Sequence, residues 1–279
     1  YYTDIQKADG SKEKLYLVQG IFREIMERAR THEVRCDTFF NTDYMKYALD
    51  QIVCESGADI LFHSAITGVK RSGRHLDAVE VSSVGGTNVF EADCFVDTTG
   101  DANLAALSGC RFQLGRESDN LCQPMTLCFR VSGVSYKEFF AHYSEMQELY
   151  KEYRLLGKIK NPREDILVFN TLNENVIHFN STRIVKCNPT DPFDLTRAEI
   201  EGRRQMIELV EFLKDNFECC KNMEIVSSAQ SVGVRESRMV LGEHILTGKE
   251  LVDLTVFEDS VAAGDYDIDI HNPEGTGTS

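Results

Sequence analysis

The stretch Phe90-Glu91-Ala92-Asp93-Cys94-Phe95-Val96-Asp97-Thr98-Thr99-Gly100-Asp101-Ala102-Asn103-Leu104-Ala105-Ala106-Leu107-Ser108-Gly109 constrains this chain more than any other. Cys94, Phe95 and Val96 form a short apolar run without helical spacing, and the small, polar Thr98-Thr99-Gly100-Asp101 follows at once. This pattern predicts a buried strand that turns directly into a helix whose apolar face is Leu104, Ala105 and Leu107. Gly100 lets the backbone approach a neighbour closely, and Asp101 is placed to cap the helix. In open α/β sheets ligands gather at the carboxyl ends of strands, which makes Thr99, Gly100 and Asp101 candidates to lie against a cofactor. A tight turn that holds no ligand satisfies the same local pattern.

The flanking sequence supplies a mixed set of elements. Leu15, Val18, Ile21, Phe22, Ile25, Met26 and Ala29 make a 3.6-residue stripe that predicts an amphipathic helix over residues 12–30, followed by an irregular segment, residues 31–40, that holds His32. Asn41-Thr42-Asp43 supplies the N-cap of a second helix, with Met45, Ala48, Leu49, Ile52 and Val53 as its apolar stripe and Gly57 at its end. Short strands are then expected at Ile60-Leu61-Phe62, around Ile66 and Val69, and at Ala78–Val81, separated by Gly68 and by Ser72-Gly73, with a turn at Gly85-Gly86. Met125, Leu127, Phe129 and Val131 alternate as in a half-buried strand that Pro124 opens. Residues 135–156 read as a surface-exposed helical region, Val176–Phe179 as a short strand holding a packed His178, and Ile225–Val234 as another strand. A helix begins near Asp194 or Thr196 and buries Met206, Leu209, Val210, Leu213 and Phe217. Thr247 and Glu250 make a capping box. The order of elements is that of an α/β (α+β) fold with a sheet at its centre.

Composition narrows the functions. A net charge of −15 over 279 residues disfavours nucleic acid and anionic membrane surfaces as partners. No apolar run approaches the ~20 residues of a membrane span, and the residues Tyr1-Tyr2-Thr3-Asp4 show no basic-then-apolar signal pattern. The nine cysteines are odd in number and contain no C-x-x-C pair, which fits a reduced, cytoplasmic protein without a metal site. Cys54 and Cys94 read as core positions.

Several stretches, in order, resemble one family. Phe95-Val96-Asp97-Thr98-Thr99-Gly100-Asp101 through Gly109 is similar to the second nucleotide-contact segment of bacterial FAD-dependent oxidoreductases. Leu114-Gly115-Arg116-Glu117, Gln123-Pro124-Met125-Thr126, Gly233-Val234-Arg235-Glu236-Ser237-Arg238, Leu246-Thr247 and Asp269-Ile270-His271-Asn272-Pro273 continue the likeness, as does the region from Asn41 to Val81. The resemblance implies a FAD domain of glutathione-reductase type, with a substrate domain inserted over the isoalloxazine ring. The expected division is a discontinuous partial FAD domain at 1–122, a substrate domain at 123–240 and a return segment at 241–279. The sequence departs from the family in having no G-x-G-x-x-G turn and no flavin segment after His271, as expected of an internal fragment.

The resemblance also assigns candidate roles. Thr99, Gly100 and Asp101 would contact FAD, with Ala65 and Ile66 near the adenine and Gln123 and Pro124 along the flavin ring. Arg235 and Arg238 would stabilise charge on the reduced ring or bind an anionic substrate, or else form structural ion pairs with Glu236 or another acid. His271 is a candidate acid or base, with an ordinary loop histidine as the alternative. The function implied is a FAD-dependent oxidoreductase whose flavin accepts a hydride from a small organic substrate. The rivals are an electron-transfer flavoprotein subunit serving iron–sulfur partners and a module for substrate recognition or interaction that holds no cofactor.

Overall fold

The computed structural model describes residues 2–16, 19–30, 40–260 and 268–277. The chain gathers into two compact units, residues 1–63 with 242–268 and residues 64–241 with 269–279, so the expected boundary at 122/123 falls inside the larger unit.

In the smaller unit, β1 (Tyr2–Gln6) and β2 (Lys12–Tyr16) form an antiparallel hairpin. Its turn is closed by Asp9 Oδ1, which accepts from the Ser11 amide at 2.9 Å and the Ser11 hydroxyl at 2.6 Å. The helix expected over residues 12–30 is therefore corrected: residues 12–16 find a strand partner, Gly20 turns the chain at φ +64°, and helix begins only at α1 (Ile21–Arg30). Helix α2 (Thr42–Glu55) forms where its spacing predicts, with Asn41 Oδ1 accepting from the Asp43 and Tyr44 amides at 2.8 and 3.4 Å, but of its stripe only Ala48 is buried, and Leu49 and Val53 are exposed. Arg28 joins the two helices through Glu24 and Glu55, both at 2.7 Å, and Ala29 and Ala48 are buried. Two further expectations fail here. Ile60, Leu61 and Phe62 are exposed and belong to no strand, and Cys54 is exposed where its place in the apolar stripe suggested core. His32 and residues 261–267 lie outside the described residues. Thr247 and Glu250 make the expected reciprocal cap on the short helix Gly248–Val252.

The larger unit opens with a meander of β3 (Ala65–Ser72), β4 (His75–Ser83) and β5 (Gly86–Glu91). Gly68 lies within β3 at a shift of register, where a Cβ would stand 2.5 Å from Glu80 Oε2. Strand β5 stops at Glu91. The strand expected over Cys94–Val96 is not formed, because no neighbouring strand offers it a ladder among the described residues; Cys94 is exposed and Val96 is 77% exposed. The chain runs on outside any strand, bending at Thr99, Gly100 and Asp101, to α3 (Asn103–Leu107) and β6 (Phe112–Leu114).

The second sheet carries the core. After β7 (Phe129–Ser132) come α4 (Tyr136–Ala141), α5 (Tyr143–Leu155), β8 (Val168–Asn170), β9 (Ile177–Phe179), the 25-residue α6 (Pro192–Asn216), β10 (Glu224–Ser228) and β11 (Arg238–Val240). The four-stranded order is β10-β7-β9-β8, β11 pairs with β6, and every pairing is antiparallel among the described residues. Met125, Leu127, Phe129 and Val131 alternate inward as expected, each at most 1% exposed. Phe129 stacks on Phe179 at 4.9 Å, and Phe139 meets Phe179 edge-on at 5.7 Å. Each fully buried side chain of this size contributes about 1.5–3 kcal/mol. Helix α6 starts at the N-cap Asp191 with Pro192 behind it and buries Met206, Leu209, Val210 and Leu213. The 135–156 region, expected on the surface, instead buries Phe139, Met146 and Tyr150 against this core. The expected long strand at 225–234 ends at Ser228, and only Gly233 returns to pair, bridging Thr126.

Candidate functional site

The turn before α3 is built by its own side chains. Asp101 does not cap the helix; the N-cap position is Ala102, in the left-handed region at φ +52°, with no side-chain cap. Thr99 Oγ1 accepts from the Asn103 amide at 2.9 Å, while the Asp97 carboxylate accepts from the Ala105 amide at 2.9 Å and the Thr99 amide at 3.0 Å. Burial works against the Asp97 charge, but the hydrogen bonds from Ala105, Thr99 and Leu104 outweigh it and hold its pKa below the ordinary 3.8. With Asp97 and Thr99 capping, Asp101 is released for another partner.

That partner comes from the far end of the unit. Ser237 Oγ donates to Asp101 Oδ1 at 2.6 Å, and Arg238 Nη1 donates to the Asp101 carbonyl at 2.9 Å and to Asn103 Oδ1 at 3.0 Å. The β11–β6 pairing fixes Arg238 opposite Leu114, and the Arg238 guanidinium lies 5.6 Å from the Phe112 ring centre. Arg238 shares a cleft of about 450 Å³ with Ile66, Thr67, Asn103, Ala106, Leu107 and Phe112. Gly100, at φ +81°, stands beside Asp101 with open space where a Cβ would be. The amides of Gly100, Asp101 and Ala102 have no hydrogen-bond partner among the described residues.

The same segment, Arg235–Arg238, builds a second cluster. Glu236 Oε2 accepts from the Gln123 amide at 2.8 Å, and Gln123 Oε1 accepts from the His271 amide at 2.9 Å. Both of these acceptors are settled by backbone donors, and the Gln123 side-chain Nε2, on a residue that lines a cleft, has no hydrogen-bond partner among the described residues. That cleft, of about 600 Å³, is also lined by Arg116, Glu236, His271, Asn272 and Glu274. Arg235 pairs with Asp269 at 3.4 Å, the neighbouring-acid alternative, while Glu236 is taken by Gln123.

His271 is held on both sides. Its Nδ1 lies 3.2 Å from Arg183 Nη2 and its Nε2 lies 3.1 Å from Asp269 Oδ1. Arg183 can only donate, so Nδ1 is the acceptor and the ring proton sits on Nε2, facing the carboxylate. Burial first, then the Arg235 charge, push the His271 pKa below 6.5 and keep the ring neutral. Its one basic lone pair is therefore engaged by a guanidinium that is itself buried and anchored on the Gly275 carbonyl at 2.8 Å.

The structure thus brings Asp101 to Arg238 and Ile66 to Arg238, and separately Gln123 to His271 and, through Asp269, to Arg235. Ala65 pairs with Ser82 at the start of β3, and Pro124 is buried beside the second cleft without lining it. Sequence reasoning missed Asp97, Ser237, Asp269 and Arg183 as parts of the machinery. The Asp97-to-Ala105 spacing was the one local signal available; Arg183 is 88 positions from His271 and carries none. Cys122, next to Gln123, is pushed up to about 11 by burial and the Glu236 charge and remains a thiol. No group of three or more His, Cys, Asp or Glu side chains that could hold a metal occurs among the described residues, and no helix among them is long and apolar enough to cross a membrane.

The fold is thus one of helices and antiparallel sheets, with two polar clefts that share the segment Arg235–Arg238. The sequence matches the FAD dependent oxidoreductase family over residues 4–279, and the chain belongs to that family. No curated protein matches it. Among solved structures it is similar to BexE, studied for oxidation during BE-7585A biosynthesis, at 16% identity and a TM-score of 0.42 over 72% of this chain and 35% of that one. It is also similar to L-proline dehydrogenase from P. horikoshii, at 12% identity and a TM-score of 0.39 over 73% of this chain and 45% of that one. A triple mutant of the flavin-dependent brominase Bmp2 matches at 13% identity and a TM-score of 0.40, over 72% and 46% of the two chains. The chain therefore spans less than half the length of each of these structures.

FAD is the family's cofactor, and the cleft beside Asp101 has the chemistry to hold part of it. Ile66, Leu107 and Phe112 offer apolar surface, Arg238 offers a fixed positive charge, and Gly100 leaves the backbone open. Ser237 occupies only Oδ1 of Asp101, which leaves Oδ2 to accept from a hydroxyl of the nucleotide.

Proposed function

We propose that this chain serves a FAD-dependent oxidoreductase in which the flavin accepts a hydride from a small organic substrate. When bound, FAD supplies a ring that takes up two electrons and passes them to an acceptor. The protein's part is binding and orientation. Asp101, held by Ser237 and Arg238, offers one carboxylate oxygen to the nucleotide, and the unengaged amides of Gly100, Asp101 and Ala102 lie beside it. Gln123, its carbonyl oxygen held by the His271 amide, presents an N–H to whatever enters the cleft at Arg116 and Asn272.

The geometry favours a positioning role for His271 over that of the acid or base. Proton uptake at Nδ1 would require Arg183 to let go, whereas the ring as it stands locks Arg183, Asp269 and the backbone that aims Gln123. The observation that carries the reading is the convergence of Ser237 and Arg238 on Asp101 beside an unobstructed glycine turn.

The test is spectroscopic. The purified protein, incubated with FAD and freed of excess, is expected to show oxidised-flavin absorption that bleaches anaerobically with a small organic reductant from a substrate panel. Flavin bands that no reductant bleaches would contradict hydride acceptance.

A further inference from the structure

The face of the four-stranded sheet turned away from the core carries a row that none of the preceding roles uses. The ladder places Ser227 opposite Arg130, Arg130 opposite His178, and His178 opposite Phe169, one residue from each strand. Because Phe129, Val131, Ile177, Phe179 and Val168 point into the core, strand alternation puts this row on the opposite face.

Its polar groups are under-used. Arg130 is half-buried, yet its guanidinium makes no hydrogen bond and no ion pair among the described residues. His178 Nδ1 is buried with no hydrogen-bond partner, which leaves Nε2 as the accessible ring nitrogen. Burial, and next the Arg130 charge, keep the His178 pKa below 6.5, so the ring is neutral at pH 7. A buried N–H without an acceptor costs about 1–3 kcal/mol, which favours the tautomer with its proton on Nε2. The row therefore offers a two-pronged guanidinium and an adjacent imidazole N–H, two donors with no acceptor between them. Beyond them the Phe169 ring, 43% exposed and 6.2 Å from the His178 ring, supplies an apolar flank, and the Ser227 hydroxyl stands on the other side of Arg130. An unpaired guanidinium on a semi-buried surface is matched by a planar anion that accepts both of its forks.

We infer that the Ser227–Arg130–His178–Phe169 row is a binding site for the carboxylate of a small organic acid, with the acid's apolar body against Phe169. This deepens the proposed function by naming the substrate class and rests on it for the ligand's being the substrate. The binding itself requires no flavin.

The probes are sodium benzoate, sodium acetate and inorganic phosphate, titrated into the purified protein without FAD and read by calorimetry and by the His178 imidazole NMR signals. Benzoate is expected to bind saturably and to shift the His178 resonances, more tightly than acetate, with phosphate weakest. Arg130→Gln is expected to weaken benzoate roughly ten- to hundredfold, the loss of one bidentate ionic contact. Phe169→Ala is expected to erase the preference for benzoate over acetate and leave acetate binding intact. Both positions lie on the face away from the core, and unchanged circular dichroism and melting would verify the fold. Benzoate binding that is equal in wild type and Arg130→Gln, tightest binding by phosphate, or no saturable binding by any probe would overturn the inference. Carboxylate binding in a protein that never takes up flavin would uphold the row and defeat only the flavoprotein reading; flavin uptake without carboxylate binding would do the reverse.

Discussion

Arg238 donates to the main-chain carbonyl of Asp101, 137 positions earlier, at 2.9 Å. Beside it, the Ser237 hydroxyl is buried against the Asp101 carboxylate. Hydrogen bonds to charged groups are worth about 1.5–3 kcal/mol. Ser237→Ala is expected to lower unfolding free energy by an amount in that range in urea titrations and to weaken FAD retention as well. Stability and flavin retention both at wild-type levels would mean that this clasp does not hold the turn.

Two left-handed glycines make a controlled contrast. A Cβ on Gly133, at φ +83°, would sit 1.9 Å from the Asn222 carbonyl oxygen, whereas one on Gly100, at φ +81°, would meet nothing. Gly133→Ala is expected to be severe, above about 4 kcal/mol, because backbone strain and a backbone clash add. Gly100→Ala should cost only the conformational strain of about 1–2 kcal/mol. Chemical denaturation of the two variants checks the order; equal losses would be evidence against the open turn.

Asp97, unremarkable in the sequence, is expected to matter to the same helix. Asp97→Ala removes the acceptor of both the Ala105 and Thr99 amides, and loss of a cap costs about 1 kcal/mol. Asp97→Asn, which keeps an acceptor oxygen, should recover part of this in thermal melts. The Asp97 pKa is depressed, so its contribution is present above the ordinary 3.8 and is lost as pH falls through its lower folded value.

A separate loss is expected at milder acidity. His271 and His178 both have folded pKa values below 6.5, so the unfolded chain binds more protons than the folded one between those values and 6.5. The stability from keeping both rings neutral is complete above about pH 6.5 and is lost as pH falls through the folded values. Urea midpoints measured from about pH 7.5 down to about pH 5 should fall, and His178→Gln should flatten part of the slope. A midpoint that rises over this window would contradict the burial of neutral rings.

Local patterns were legible and long-range ones were not. Alternation at Met125, Leu127, Phe129 and Val131 and the caps at Asn41 and Thr247 were read correctly because each depends on residues within a few positions. The apolar residues of Lys12–Tyr16 suit a helical stripe, and only pairing with Tyr2–Gln6 makes the segment a strand. Cys94–Val96 failed in the opposite sense, since an apolar run becomes a strand only where a neighbour supplies the ladder. At the site, Asp101 and Arg238 were each singled out, but nothing local states that they meet. The engagement of His271 by Arg183 and Asp269, which alters its chemistry, is a property of the folded chain alone.

The most direct measurement is flavin retention by Gly100→Val set beside wild type, with circular dichroism and melting recorded on the same samples. A Cβ-branched side chain at this unobstructed turn fills space that FAD would occupy. The expected result is a folded variant that loses flavin where wild type keeps it. A folded variant that retains flavin as wild type does would contradict the placement of the cofactor at this turn.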